Sequence, residues 1–292
     1  EKAIVDRRLE VMRAEGVRFE TGVRVGAAIG WQTLRAENDG LLLAIGAHAP
    51  RPLNIPGADL PGVHAAMDYL EQQNRRVAGQ AVTDGIDARG RRVVILGDGD
   101  TGVDCLGTAL RQGAREVVQI GRKPTPPSAR PADNPWPQWP LVFETQSSHE
   151  EGGERVYGLL AEAFEGDAHL TGLRCAEVTR DGDGLRRLNR PPVRLACDLA
   201  LIAVGFTGPV ATSLVDQLGV RLDGAGNIAV DARFATGVPG VYAAGDAVRG
   251  ASLIVWAISQ GREAARHLDA ELRGRLPVLP TRGEDRPFGG MT

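Results

Sequence analysis

The chain has 292 residues, of which 42% are hydrophobic and 24% are charged, and its formal net charge is −3. These values are ordinary for a globular protein, and so small a net charge gives no indication of a nucleic-acid or membrane partner. No apolar stretch approaches the roughly 18 residues that a transmembrane helix requires. The three cysteines (Cys105, Cys175 and Cys197) are far apart and form no C-x-x-C pair. They predict neither a disulfide framework nor a metal site, and they favour a reducing compartment.

The first predicted element is an amphipathic helix over residues 3–15, with Ile4 and Leu9 on its apolar face. The next predicted elements are strands at 17–20 and 41–47 and a helix at 64–73. A helix that opens an α/β fold without a preceding strand is unusual. We therefore expect a strand of the complete fold to precede residue 1.

A strand, a glycine turn, a helix and a second strand are predicted in residues 91–123. An apolar, β-branched run precedes the letters GDGDTG, which match G-x-G-x-x-G. In such a unit Gly97 makes the tight turn, Gly99 admits a pyrophosphate, and Gly102 allows close packing of helix on strand. The candidate residues for dinucleotide binding are Gly97, Gly99, Asp100, Thr101 and Gly102. The alternative is a structural glycine turn that binds no ligand.

The residues after the second strand predict which dinucleotide is bound. Sites for NAD usually have Asp or Glu there to bind the ribose 2′-hydroxyl. This chain has Gly121, Arg122 and Lys123 instead. An acid would repel a 2′-phosphate, whereas Arg binds it with two charge-assisted hydrogen bonds. We therefore predict NADP(H), with solvated loop charges as the alternative role of Arg122 and Lys123.

The second half of the chain contains two further signals. The predicted elements are antiparallel strands at 154–165 and 169–180, a buried strand at 198–206, a strand at 240–246 and a helix at 252–269. The strand at 240–246 carries Asp246 to its carboxyl end. Ser252 is the predicted N-cap of the final helix, with Ile254 and Ile258 on its buried face.

Several motifs in the chain are characteristic of one family. They are ADNPWPQWP (132–140), SSHEEGGERVY (147–157), LIAVGFTGP (201–209) and VYAAGDAVRGASLIVWAISQGREAA (241–265). Together with GDGDTGVDC, they resemble the small (β) subunit of NADPH-dependent glutamate synthase. That subunit is one of the flavoprotein oxidoreductases with two dinucleotide-binding folds.

The resemblance implies an α/β fold in which a Rossmann-like NADPH-binding domain is inserted into a split FAD-binding domain. The implied domains are 1–61, the C-terminal part of the first FAD half; 62–206, the NADPH domain; 207–272, the second FAD half; and 273–292, a flexible tail. The FAD-binding residues it implies are Gly245, Asp246, Ser252, Leu253 and Ile254. Hydride would pass from NADPH to FAD without a general acid or base from the protein.

The resemblance also implies a cytoplasmic location and a glutamate synthase large subunit as partner. Electrons would reach that subunit through iron–sulfur clusters, and glutamate would form there from glutamine and 2-oxoglutarate. No G-x-G-x-x-G precedes residue 91, and no cysteine-rich cluster domain is present. We therefore expect an N-terminally truncated chain that binds NADP(H) more firmly than FAD.

Two other classes of function remain open. One is a related oxidoreductase, similar to dihydropyrimidine dehydrogenase or to thioredoxin reductase; the absence of C-x-x-C disfavours the latter. The other is a non-catalytic remnant that binds NADP(H) or docks onto a partner protein.

Overall fold

A computed structural model describes residues 2–136, 141–182, 184–210 and 212–280. The chain divides into two compact units. The central unit is His48–Thr207, and the discontinuous unit combines the residues up to Ala47 with the described residues from Gly208 onward. The central unit begins at residue 48, ahead of the predicted domain boundary at 62, because Leu53, Ile55 and Leu60 pack against its core.

The elements are numbered in chain order. The helices are α1 (Lys2–Ala14), α2 (Trp31–Glu37), α3 (Ala66–Val77), α4 (Asp100–Gln112), α5 (Ser147–Glu150), α6 (Thr212–Leu218), α7 (Asp246–Arg249) and α8 (Ile254–Leu272). The strands are β1 (Leu41–Leu43), β2 (Val63–Ala65), β3 (Arg92–Leu96), β4 (Glu116–Gly121), β5 (Glu154–Tyr157), β6 (Leu159–Glu165), β7 (Gly172–Asp181), β8 (Gly184–Arg187), β9 (Val193–Ala196), β10 (Leu199–Ile202) and β11 (Val241–Ala243).

The core of the central unit is a parallel sheet with strand order β2-β10-β3-β4-β5. Both faces of β3 are covered: Val93 and Ile95 pack with α3 and α4, and Val94 and Leu96 pack on the opposite face. This double burial explains the unbroken apolar run in the sequence. The predicted α/β fold class is confirmed.

The prediction of one long strand at 154–165 is wrong. Gly158, at φ +72°, divides this segment, and its N–H donates to the Lys123 carbonyl oxygen at 2.9 Å. The part before Gly158, β5, joins the parallel sheet beside β4. The part after it, β6, pairs antiparallel with β7, which also pairs with β8 and β9. Sequence reasoning missed β8 and β9.

The structure near the N-terminus differs from the prediction at several points. Residues 17–20 form no strand, and β1 is shorter than the predicted 41–47. The three-residue strand β2 precedes α3 and escaped prediction because so short a segment shows no clear alternation. Helix α1 forms as predicted, but Ile4 and Val5 on its apolar face are each more than half exposed.

The discontinuous unit is organised around β1 and β11, which pair in parallel. Its final helix differs from the prediction, since Leu253 and not Ser252 occupies the N-cap of α8. Ile254 and Ile258 are 75% and 56% exposed, so they do not form the buried face. That face consists of Trp256, Gln260, Glu263, Ala264 and Ala270.

All three cysteines are buried packing residues, and burial raises the pKa of each thiol to about 12. Their thiols are therefore protonated and unreactive at neutral pH. In the part of the chain that the structure describes, no helix is long and apolar enough to cross a membrane.

We expect Tyr69→Phe to stabilise the protein by about 1 kcal/mol. The Tyr69 side chain is 0% exposed, and among the described residues its hydroxyl has no hydrogen-bond partner. The matched control is Tyr242→Phe, because the Tyr242 hydroxyl donates to Glu271 Oε2 at 2.6 Å. Urea unfolding should show the control to be destabilised by about 1 kcal/mol. Equal destabilisation by both substitutions would contradict the expectation for Tyr69.

A second prediction concerns Asp198, whose carboxylate accepts hydrogen bonds from the Arg92 guanidinium at 2.5 and 2.9 Å. These bonds join the start of β3 to the start of β10 and lower the pKa of Asp198 from 3.8 to about 2. The stabilisation is therefore complete above pH 3.8 and is lost as the pH falls towards 2. Urea unfolding should show Asp198→Asn to be modestly less stable than the parent at pH 7. The difference should shrink below pH 4, and a constant difference would contradict this account.

Candidate functional site

The carboxyl ends of the parallel strands meet at one edge of the central sheet. Strand β3 ends at Leu96 and leads into Gly97, while β4 ends at Gly121 and leads into Arg122. These strands are direct neighbours, with Leu96 opposite Ile120. The structure therefore brings the predicted glycine turn and the predicted pair of cations to the same edge.

The three glycines of the turn meet different surroundings. Gly97 has φ +129°, and a Cβ atom there would overlap the carbonyl oxygen of Ala203. A Cβ at Gly102 would overlap the carbonyl oxygen of Gly97. At Gly99, by contrast, a Cβ would meet nothing within 4 Å. Two of the glycines thus serve internal packing, and the third leaves one side of the turn open.

The open side presents backbone donors. Within the described residues, the N–H groups of Gly99, Asp100 and Thr101 have no acceptor. They lie at the N-terminus of the 13-residue helix α4, where the helix dipole is positive. Such an arrangement fits a phosphate or pyrophosphate group.

The two predicted cations are available at this edge. Arg122 and Lys123 are exposed, and neither side chain forms an ion pair or a hydrogen bond with another described residue. The backbone at Lys123 is held in place, because the Lys123 carbonyl oxygen accepts the Gly158 N–H at 2.9 Å. The cations therefore sit on an ordered segment and are free to bind an anion.

Asp98 is a member of this edge that sequence reasoning did not single out. A Cβ atom at Gly121 would lie 2.9 Å from Asp98 Oδ2, so the carboxylate occupies the space that a larger residue 121 would fill. The signal was an acid inside the glycine motif. Its negative charge next to Gly121 opposes the approach of an anion to that point.

A hydrogen-bonded group of polar side chains beneath the turn was also missed. Gln119 on β4 donates from Nε2 to the Gly97 carbonyl oxygen at 2.9 Å. His149 on α5 contacts Gln119, with 3.0 Å between His149 Nε2 and Gln119 Oε1. Gln146 donates from its side chain to Asp100 Oδ1 at 3.0 Å. The signal was a single polar residue, Gln119, within the apolar run of β4.

An apolar cavity of about 330 Å³ opens at the same edge. Its lining includes Met67, Thr101, Ile202, Val204 and Phe206. The volume falls at the lower end of the range for small-molecule sites. Thr101 belongs to both the glycine turn and the lining, so the cavity adjoins the turn.

The second predicted site lies in the discontinuous unit, where β11 ends. Gly245 has φ +74°, and a Cβ there would lie 3.3 Å from the Ala257 side chain on α8. The Gly245 N–H donates to Gln260 Oε1 at 2.9 Å. The missing side chain therefore allows the turn after β11 to lie close to α8.

The turn after β11 also carries Asp246, which accepts a hydrogen bond from the Ser252 hydroxyl at 3.2 Å. The structure thus brings these two predicted residues together. Ser252, Leu253 and Ile254 are exposed at the N-terminus of α8. This segment offers the helix N-terminus and an apolar surface to a ligand.

Comparisons with known proteins place these features in a family. The small chain of NADPH glutamate synthase from Mycobacterium tuberculosis (strain ATCC 25618 / H37Rv) is 47% identical over 291 residues, covering 96% of this chain and 60% of the relative. The small chain from Bacillus subtilis (strain 168) is 37% identical, with coverage of 96% and 59%. The chain thus spans about 60% of the length of these curated relatives.

Among solved structures, FprA from Mycobacterium tuberculosis in complex with NADPH superimposes with a TM-score of 0.61. At 20% identity, covering 86% of this chain and 68% of FprA, this likeness establishes the fold. The family described as pyridine nucleotide-disulphide oxidoreductase matches residues 1–261, which include both glycine turns described above. The chain therefore belongs to the pyridine nucleotide-disulphide oxidoreductase family.

Proposed function

We propose that this chain binds NADPH and FAD and forms the part of a glutamate synthase small subunit in which NADPH is oxidised. The observation that carries the proposal is the shared edge of the central sheet. An open glycine turn lies there together with N–H groups and two cations that have no partner among the described residues. The similarity to glutamate synthase small chains supports the same assignment.

In this proposal the central unit holds NADPH. The pyrophosphate accepts hydrogen bonds from the N–H groups of Gly99, Asp100 and Thr101. Arg122 and Lys123 bind the 2′-phosphate, which distinguishes NADPH from NADH. The apolar cavity beside Thr101 accommodates the nicotinamide ring and excludes water from it.

The discontinuous unit fits FAD by a separate set of residues. Gly245 allows the backbone to approach α8 closely, and the Asp246 carboxylate is suited to accept hydrogen bonds from ligand hydroxyl groups. The exposed N-terminus of α8, at Ser252, Leu253 and Ile254, offers its positive dipole end to an electron-rich ring. When both cofactors are bound, NADPH supplies a hydride and the flavin accepts it. The chain contributes binding and orientation, and no side chain is required to move a proton.

At the level of the whole protein, we propose a cytoplasmic glutamate synthase. The small subunit would deliver electrons to a large subunit that forms glutamate from glutamine and 2-oxoglutarate. Iron–sulfur clusters would be supplied outside residues 1–292, since the three cysteines here are dispersed and buried.

Replacing Arg122 with Ala should weaken NADPH binding about tenfold and leave NADH binding unchanged, because only NADPH carries the 2′-phosphate. Titration of the purified chain with each nucleotide by calorimetry measures both affinities. Arg115→Ala is the matched control: this exposed arginine directly precedes β4, at the opposite edge of the sheet. Equal loss of NADPH and NADH affinity in Arg122→Ala would contradict the assignment to the 2′-phosphate.

The flavin assignment predicts that the purified chain shows the visible absorbance of oxidised flavin and that NADPH bleaches it. Asp246→Ala should lower the flavin content about tenfold, because a charge-assisted hydrogen bond to the ligand is lost. Asp216→Ala, an exposed acid on α6 in the same unit, is the control and should retain flavin. A colourless parent chain that still binds NADPH would instead indicate a nucleotide-binding remnant without flavin chemistry.

A further inference from the structure

Gln119 is a buried amide in an otherwise apolar strand. It is 3% exposed, and its neighbours on β4, Val118 and Ile120, belong to the hydrophobic core. A buried amide requires hydrogen-bond partners, because an unpaired polar group in the interior is costly. Both ends of this amide have partners, the Gly97 carbonyl oxygen at 2.9 Å and His149 Nε2 at 3.0 Å.

One backbone N–H determines which atoms of His149 and Gln119 donate hydrogen bonds and which accept them. The N–H of Gln146 donates to His149 Nδ1 at 3.2 Å, so Nδ1 is the acceptor and Nε2 carries the proton. His149 Nε2–H then donates to Gln119 Oε1, which leaves the Gln119 NH₂ group directed at Gly97. Burial, and secondly the nearby charge of Arg155, lower the pKa of His149 and keep this neutral form in place.

Helix α5, which carries His149, is fixed against α4. A Cβ atom at Gly107 on α4 would lie 2.6 Å from Ser148 Oγ, so this glycine makes room for α5. Beyond α5, Glu151 Oε2 accepts a hydrogen bond from Arg111 Nε at 2.9 Å. The position of His149 is therefore set by contacts with the helix that follows the glycine turn.

The other end of the turn is held by the same segment. Gln146 donates from Nε2 to Asp100 Oδ1 at 3.0 Å. The turn is thus tied to the α5 segment at two points. Gln119 links the Gly97 carbonyl to His149, and Gln146 binds the Asp100 carboxylate. Between these two ties lies Gly99, with its open side and an N–H group that has no acceptor among the described residues.

We propose that Gln119, His149 and Gln146 are positioning residues that hold the glycine turn in the shape that binds a pyrophosphate. This inference rests on the proposed NADPH site. Aligned N–H donors bind an anion strongly only if little ordering is required on binding. Loss of the Gln119 bond leaves the Gly97 carbonyl without this partner and lets the turn take other shapes.

The test compares two ligands that differ in the pyrophosphate. NADPH contains both the pyrophosphate and the 2′-phosphate, whereas adenosine 2′-monophosphate contains only the latter. In the full chain, Gln119→Met should weaken NADPH binding about tenfold and leave binding of adenosine 2′-monophosphate unchanged. A merely structural role would lower both affinities together.

The matched control is Gln72→Met. Gln72 is another buried amide, 9% exposed, and it lies on a different element, helix α3. Its Oε1 accepts a hydrogen bond from the Ile86 N–H at 2.8 Å. Gln72 Nε2 also donates to the Ile86 carbonyl oxygen, so this variant removes the same kind of backbone contact as Gln119→Met. It should retain the NADPH affinity of the parent chain. Unchanged NADPH affinity in Gln119→Met, or equal loss of both ligands, would overturn the proposal. Failure of the parent chain to bind NADPH would instead refute the proposed function.

The role of His149 is tested by a pair of variants. Gln can place an N–H donor near the position of His149 Nε2, whereas Leu cannot donate. His149→Leu should therefore weaken NADPH binding several-fold, and His149→Gln should restore most of it. Equal affinities in the two variants would show that the hydrogen bond from His149 to Gln119 does not support the turn.

Discussion

The parallel pairing of β3 with β4 is the constraint on which the candidate nucleotide site depends. Its register places Leu96 opposite Ile120, so the glycine turn after one strand and the cations after the other lie at one edge. A shift of one residue would move Arg122 by about 3.3 Å along the strand and turn Gln119 to the opposite face. Both the charges of the site and the support beneath the turn therefore depend on this register.

Electrostatic balance at this edge follows from the residues around Gly121. The N-terminus of α4, Arg122 and Lys123 all favour an anion, while the Asp98 carboxylate lies against Gly121 and opposes one. In the proposed site, the preference for a 2′-phosphate would therefore be the net effect of these neighbouring charges, of which Arg122 is one.

The unit from β3 to β4 was predictable to within a few residues because its signals are local. An apolar run, three glycines at fixed spacing and an apolar helical face all occur within one continuous segment. The segment around Gly158 was not predictable in the same way. Residues 154–165 alternate as one strand would, yet the chain turns at Gly158, and its two parts pair with β4 and with β7 in different sheets.

The buried face of α8 shows how tertiary contacts override a local pattern. Ile254 and Ile258 satisfy the helical spacing of an apolar face, yet Gln260 faces inward because it binds the Gly245 N–H. The polar Gln260 side chain is therefore buried, while the side chains of Ile254 and Ile258 are exposed. The hydrophobic pattern of the helix does not predict that Gln260 is buried, because its partner, the Gly245 N–H, lies in the turn after β11.

The support of the glycine turn could not be inferred from any local pattern, since its bonds join distant parts of the chain. Gln119 reaches back 22 residues to Gly97, His149 reaches 30 residues to Gln119, and Gln146 reaches 46 residues to Asp100. In the sequence, the segment SSHEEGGERVY indicated only a family resemblance. The structure supplies a physical reason for several of its residues: Ser148 fits against Gly107, His149 orients Gln119, and Glu151 pairs with Arg111. A glycine motif defines where a phosphate can approach, but its shape depends on side chains from a separate segment, so the motif alone is an incomplete description of the site.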